Sequence, residues 1–128
     1  MNPSIFKAYD IRGVYPKDVN SEVAEKIAAY APEIFRKGRV VVGHDARIGS
    51  KKLYRTVISG LKKHGEIKCV EIGMATTPMF YFTVNDMGAS GGIMITASHN
   101  PKNHNGFKIV GKKSKMISGL EIKKLIHA

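Results

Sequence analysis

Gly91-Gly92-Ile93-Met94-Ile95-Thr96-Ala97-Ser98-His99-Asn100-Pro101 is the stretch that decides how this chain is read. Its first half is a short apolar run of the length and composition of a buried strand, expected over residues 89–96, with two glycines that permit close approach. Its second half opens a polar loop from Ala97 to Gly106 and places a hydroxyl, an imidazole and an amide just before a proline. A loop at a strand end exposes side chains while the scaffold behind holds them in place. Ser98 alone is a weak signal, because loop serines mostly cap helices or shape turns. His99, adjacent in sequence, is badly placed to serve as the base of a hydrolase triad. There is no Gly-x-Ser-x-Gly elbow around Ser98 and no Gly-x-x-x-x-Gly-Lys phosphate loop in the chain.

Toward the N-terminus, Thr77-Pro78 opens a helix that runs to about Asp86. Met79, Phe80, Phe82 and Thr83 are expected in its core-facing part. A strand is expected over 67–72, closed by Gly73. Before it lies a helix opened by Gly49 and Ser50, with Leu53, Val57, Leu61 and His64 at helical spacing and Gly65 at its end. Residues 39–43 hold three consecutive valines and read as a buried strand. A helix capped by Asn20 or Ser21 is expected to reach about Arg36, with Val23, Ile27, Tyr30, Ala31 and Ile34 on one stripe and Gly38 as the stop. Ile5 to Ala8 forms a short apolar start before the turn-rich Tyr9-Asp10-Ile11-Arg12-Gly13. Toward the C-terminus come a short strand over 107–110, a lysine-rich turn and a helix opened by Ser118 and Gly119.

Strands alternating with helices predict an α/β fold: a single-domain, three-layer α/β/α sandwich over residues 1–128, with a mostly parallel, mixed sheet. Ligands of such sheets bind beyond the carboxyl ends of the strands. The turns after Ala8, Gly43 and Thr96 are therefore expected on one rim.

The 128 residues include 21 Lys and Arg against 10 Asp and Glu, a formal net charge of +11; from Asn100 onward there are seven lysines and one glutamate. Such a surface suits an anionic partner, or is a solvated basic face. Nucleic acid is disfavoured, because the chain has no aromatic stacking platform and no zinc, helix-turn-helix or RNA-recognition signature. No apolar stretch approaches the roughly 20 residues that cross a bilayer, so no membrane partner is expected. Cys69 is the only cysteine. Lying in an apolar run, it reads as a small core residue rather than a nucleophile. The lack of disulfides, and of a basic segment followed by a long apolar run at the N-terminus, suits the cytoplasm.

Thr96-Ala97-Ser98-His99-Asn100-Pro101, followed by Asn105-Gly106-Phe107-Lys108, resembles the active-site serine loop of the α-D-phosphohexomutases. Tyr9-Asp10-Ile11-Arg12-Gly13 resembles that family's first-strand motif. Val41-Val42-Gly43-His44-Asp45-Ala46-Arg47 resembles its second-strand motif, and Gly73-Met74-Ala75-Thr76-Thr77-Pro78 the segment before its third helix. Four motifs in the family's order span nearly the whole chain.

The resemblance implies a phosphoserine that gives its phosphate to a phosphorylated hexose, forms a bisphosphate and takes the other phosphate back, so interconverting hexose 1-phosphate and hexose 6-phosphate. By position the serine is Ser98. It implies phosphate contacts from Arg12, His99 and Lys108, with Lys108 also near the transferred proton. It implies Mg²⁺ held through the Ser98 phosphate, and hexose 1,6-bisphosphate as phosphate donor. Tyr9, Asp10 and Asn100 are expected to support the site, and Asp45 and Arg47 to pair internally and fix loops. His44 stands where many members carry arginine. The match is to the first of four domains. The metal-binding carboxylates, sugar-recognition loop and distal phosphate loop of the other three are not among these residues. The chain by itself is therefore expected to lack turnover, unless missing domains or a second chain supply those parts. Self-association through the face that would meet the second domain is also expected. The alternative is a basic binding module that kept the fold without the reaction.

Overall fold

The computed structural model describes every residue from Met1 to Ala128. In chain order the elements are β1 (Ile11–Val14), α1 (Ser21–Ala29), α2 (Ala31–Phe35), β2 (Gly38–His44), α3 (Ser50–Leu61), β3 (Ile67–Met74), α4 (Thr77–Asp86), β4 (Gly91–Ile95), β5 (His104–Val110), β6 (Met116–Ile117) and α5 (Gly119–Leu125). The strands form one sheet in the order β1-β5-β4-β2-β3, with β6 also on β5. β2 pairs in parallel with β3 and β4, whereas β5 is antiparallel to β1, β4 and β6. Five strands thus share one direction and β5 alone runs against them. The sheet is mixed and mostly parallel, the single-domain α/β class that the alternation implies.

Side chains alternate across the sheet. Val40, Val42, Ile93, Ile95, Phe107 and Ile109 belong to a cluster of 23 buried residues completed by α1, α3 and α5. Val41, Met94 and Val110 turn the other way and meet Phe80 and Val84 of α4 in a cluster of 6. The valine triplet is therefore buried on both faces, as a central strand requires. Each fully buried side chain of this kind contributes about 1.5–3 kcal/mol. Asn20, Thr76 and Ser118 accept hydrogen bonds from the N–H groups of Val23, Met79 and Glu121, capping α1, α4 and α5.

Four expectations need correction. The first strand is not Ile5–Ala8. Residues 3–5 form a 3₁₀ turn, Phe6 makes one bridge to Ile11, and the Lys7 N–H bonds the Asp10 carbonyl. The strand is the motif itself, paired Ile11 to Phe107 and Val14 to His104. Consequently the turn after Ala8 lies at the amino end of β1, and the rim is reached by Arg12 to Val14 instead.

The helix expected from residue 21 to 36 breaks at Tyr30 into α1 and α2. Pro32 has no N–H to offer Ala28, four residues back. The Ala28 carbonyl is taken instead by His64 Nε2 at 2.9 Å, so that nitrogen carries the proton. In α4 only Phe80 and Val84 are buried, while Met79 and Phe82 are 55% and 68% exposed, and Thr83 Oγ1 donates to the Met79 carbonyl. With a single helix on this face of the sheet, a narrow stripe suffices to bury it. Finally, β5 begins at His104 rather than Phe107, and β6 has no counterpart in the sequence reading.

Candidate functional site

Beyond Ile95 the Thr96 N–H still donates to the Gly106 carbonyl at 3.0 Å, so the sheet hands the chain over to the loop with its pairing intact. Thr96 Oγ1 then accepts from the Ser98 N–H at 3.0 Å. Ala97 is buried, and its carbonyl accepts from both the N–H and Nδ2 of Asn100, at 3.1 and 2.7 Å. Asn100 shapes the loop. Between these anchors Ser98 and His99 are exposed. Ser98 has φ = +52°, the left-handed region, which costs a residue with a Cβ roughly 1–2 kcal/mol. No group of the chain hydrogen-bonds its hydroxyl, and the His99 ring is equally free.

The loop's carbonyls converge on Arg47. Its Nη1 donates to the carbonyls of Pro101 at 2.7 Å and His104 at 3.2 Å. Its Nη2 donates to those of Asn100, at 2.7 Å, and of Ser98. Nε faces Asp45 Oδ2 at 3.6 Å, and the side chain is only 16% exposed. Asp45 Oδ1 in turn accepts from the Arg47 N–H at 3.0 Å and from Ser50 Oγ. Asn105 Nδ2 donates to Ser50 Oγ at 2.9 Å and to the Ile48 carbonyl at 3.1 Å, and Asn105 Oδ1 accepts from the Gly106 N–H. Ser50 and Asn105 are fully buried. A chain of hydrogen bonds thus ties the β2–α3 loop, the serine loop and β5 into one unit. The sequence reading treated Ser50 only as a helix opener. Its bond to Asn105 spans 55 residues and leaves no local signature.

Arg12 and Lys108 share a face. Arg12 pairs with Gly106 across β1 and β5, and Lys108, two residues further along β5, pairs with Met94 across β4 and β5. The two basic side chains are diagonal neighbours, with Cα atoms about 7–8 Å apart by sheet geometry. They lie on the side of the sheet that carries α4, which packs on Val110 at the far end of β5. The Arg12 side chain is 40% exposed, with Nε 3.5 Å from Asp10 Oδ1. That oxygen is buried and has no hydrogen-bond partner, so the guanidinium is its charge compensation. Tyr9 stands exposed on the preceding turn and bonds neither residue. Arg12, Lys7, Asn100 and His104 line one shallow cleft of about 300 Å³, with Asp18 among its walls. Ser98, His99 and Lys108 lie outside it.

Other expected groups sit apart from the rim chemistry. His44 is buried, with its ring 4.6 Å from that of Tyr54 and Nδ1 donating to the Asp45 carbonyl at 2.7 Å, so it meets no phosphate from this position. Cys69 is half-buried against the larger core, and burial pushes its thiol up to about 11. No three His, Cys, Asp or Glu side chains gather into a metal-binding group. Asp45 is spent on Ser50 and Arg47, and Asp10 on Arg12. The residues of this chain do not make a Mg²⁺ site on their own. No helix is long and apolar enough to cross a membrane.

Residues 3–128 match the family model described as phosphoglucomutase/phosphomannomutase, alpha/beta/alpha domain I. The chain is 40% identical over 113 residues to phosphohexose mutases of Xanthomonas campestris pv. campestris, covering 88% of itself and 25% of that protein. It is 41% identical over 114 residues to a phosphomannomutase of Klebsiella pneumoniae, covering 89% of itself and 72% of that sequence. Among solved structures, a phosphoglucomutase/phosphomannomutase family protein from Burkholderia thailandensis superposes with a TM-score of 0.85 at 33% identity, over 99% of this chain and 30% of the other. An α/β/α sandwich with an exposed serine on the loop after β4 is the frame that these relatives share with the chain. The chain belongs to the phosphoglucomutase/phosphomannomutase family, as its domain I. It spans about a quarter of the length of its Xanthomonas relatives.

Proposed function

We propose that this chain is the catalytic-serine domain of a phosphohexomutase, in which Ser98 accepts a phosphoryl group from a phosphorylated hexose and returns it. The single observation that carries the reading is the unbonded, exposed Ser98 hydroxyl on a clamped loop at the rim that Arg12 also reaches. In the loading step the Ser98 Oγ–P bond forms as an ester P–O bond of a hexose bisphosphate breaks. The hydroxyl proton ends on the released sugar oxygen. Phosphoryl transfer asks the protein mainly for placement and charge stabilisation. Arg12 supplies a planar double donor for phosphate oxygens, oriented by Asp10. Lys108 stabilises charge and relays the proton, and His99 orients phosphate or sugar. Carboxylates for a Mg²⁺ ion on the phosphate would come from outside these residues, and the chain by itself turns over no substrate.

The test is intact mass with peptide mapping after incubation with glucose 1,6-bisphosphate. A gain of one phosphate on Ser98, absent in Ser98→Ala, is the expected result. An unmodified Ser98 together with salt-dependent binding of nucleic acid would favour the basic binding module instead. A second assay, with glucose 1-phosphate or mannose 1-phosphate, Mg²⁺ and bisphosphate, is expected to show no turnover by the pure chain.

A further inference from the structure

The Arg47 guanidinium has five N–H donors in a fixed plane. Four partners are loop carbonyls, those of Ser98, Asn100, Pro101 and His104, and the fifth direction faces Asp45. It therefore has no donor left for a phosphate, although it is a cation at a phosphate-handling rim. Its bonds go instead to the backbone of the residue that is itself held in the left-handed region. A tight run of carbonyls aimed at one point repels itself unless a cation occupies that point. Only a planar, multiply donating cation satisfies four of them together; an ammonium has three donors on a single atom.

We infer that Arg47 is a positioning residue for phosphoryl transfer at Ser98: by binding the carbonyls of residues 98, 100, 101 and 104 it holds the left-handed serine backbone that leaves the hydroxyl exposed. The inference rests on the phosphoserine reading above. It adds a residue that touches neither substrate nor phosphate. Without the clamp, Ser98 relaxes to an ordinary negative φ and the hydroxyl loses its exposed place on the loop. Donor binding through Arg12 and Lys108, which lie outside the clamp, changes far less than the transfer rate.

The test compares the wild-type chain with Arg47→Lys and Arg47→Ala by time-resolved intact mass at several glucose 1,6-bisphosphate concentrations, alongside amide hydrogen exchange of residues 98–104. In Arg47→Lys the rate of Ser98 phosphorylation at saturating donor is expected to fall at least tenfold, with half-saturation within twofold of wild type. Loop exchange is expected to rise at least tenfold, with circular dichroism unchanged. Guanidinium chloride at millimolar concentration is expected to restore phosphorylation of Arg47→Ala, where methylammonium does not. A variant with wild-type rate and loop exchange overturns the proposal. So does a loss that only tracks the folded fraction, or failure of both variants to fold, since Arg47 would then be a requirement of the fold. A wild-type chain that takes up no phosphate sinks the phosphoserine reading, and loop exchange then decides whether Arg47 sets the serine backbone.

Discussion

Gly106 of β5 lies directly across from Arg12 of β1, so close that a Cβ on it would overlap the Ile11 carbonyl oxygen and come within 2.9 Å of the Arg12 Cα. The glycine in the Asn105-Gly106-Phe107-Lys108 motif therefore sets how near the arginine strand approaches the serine loop. The Thr96 N–H bond to the carbonyl of this same glycine adds the third strand to the arrangement. Gly106→Ala is expected to push β1 away from β5 at a cost of about 1–3 kcal/mol, the usual range for forcing atoms into a filled space. It should also slow phosphorylation of Ser98. Urea unfolding of the variant with an unchanged midpoint would show that β1 yields freely, contrary to the geometry.

Arg12 carries two tasks that one substitution separates. It compensates the buried Asp10 carboxylate and it faces the rim. Arg12→Ala is expected to lose at least tenfold in the rate of Ser98 phosphorylation and also about 1–3 kcal/mol of stability, because a buried carboxylate is left without its cation. The double variant Asp10→Asn, Arg12→Ala should regain part of the stability and none of the rate. Recovery of both together would mean that Arg12 acts only as a structural counter-charge.

The layers of this fold were legible because each rests on local pattern. The valine triplet and the Asn20 and Ser118 caps act within a few residues of themselves, whereas the cap of α4 is Thr76 and not the expected Thr77, and β3 runs through Gly73 to Met74. The helix break at Tyr30 was legible too, in Pro32, but the apolar stripe on both sides of it masked the signal. What local pattern does not carry is partner choice. Nothing in Ile5-Phe6 says that Ile11–Val14 will win the place beside β5, since that depends on matching Ile11 to Phe107 nearly a hundred positions away. The site divides in the same way. Ser98, Arg12 and Lys108 are expectations carried by motif resemblance, whereas the Asp45–Ser50–Asn105 chain and the four-carbonyl embrace of Arg47 exist only after distant loops meet.

That hydrogen-bond chain makes Ser50 a stability determinant out of proportion to its size. Its hydroxyl donates to Asp45 and accepts from Asn105, with no exposure to water. Ser50→Ala removes both bonds and strands a buried amide N–H, at a cost of about 1–3 kcal/mol. Chemical denaturation measures it. A midpoint within error of wild type would mean that water replaces the hydroxyl at no loss.

Met79 and Phe82 lie three residues apart on α4, a spacing that puts them on one helix face, and both are mostly exposed. Such a pair on an otherwise strongly basic chain predicts concentration-dependent association driven by apolar contact and resistant to salt. Size-exclusion chromatography from micromolar to millimolar chain should show it, and Phe82→Glu should remove it without lowering stability. A wild-type chain that stays monomeric throughout that range contradicts the prediction.

Cys69 supplies a pH-dependent test of the packing at the β3 edge. Its thiol is raised from 9.0 to about 11, mainly by burial and further by the negative charge of Glu71, with Lys62 opposing. In the unfolded chain the thiol ionises near its ordinary value while in the folded chain it stays protonated. The folded state therefore holds the extra proton between those pH values. The stability this represents is present in full below pH 9 and is lost as pH rises through about 11. Alkylation by iodoacetamide, which needs the thiolate, should accordingly rise with a midpoint near 11 in the native chain and near 9 in urea. Glu71→Gln should lower the native midpoint, because it removes a repelling charge and releases Lys62 from its 2.9 Å ion pair with that carboxylate. A native midpoint at or below 9 would place the thiol in water, and would rule out the half-buried position that β3 gives it against the core.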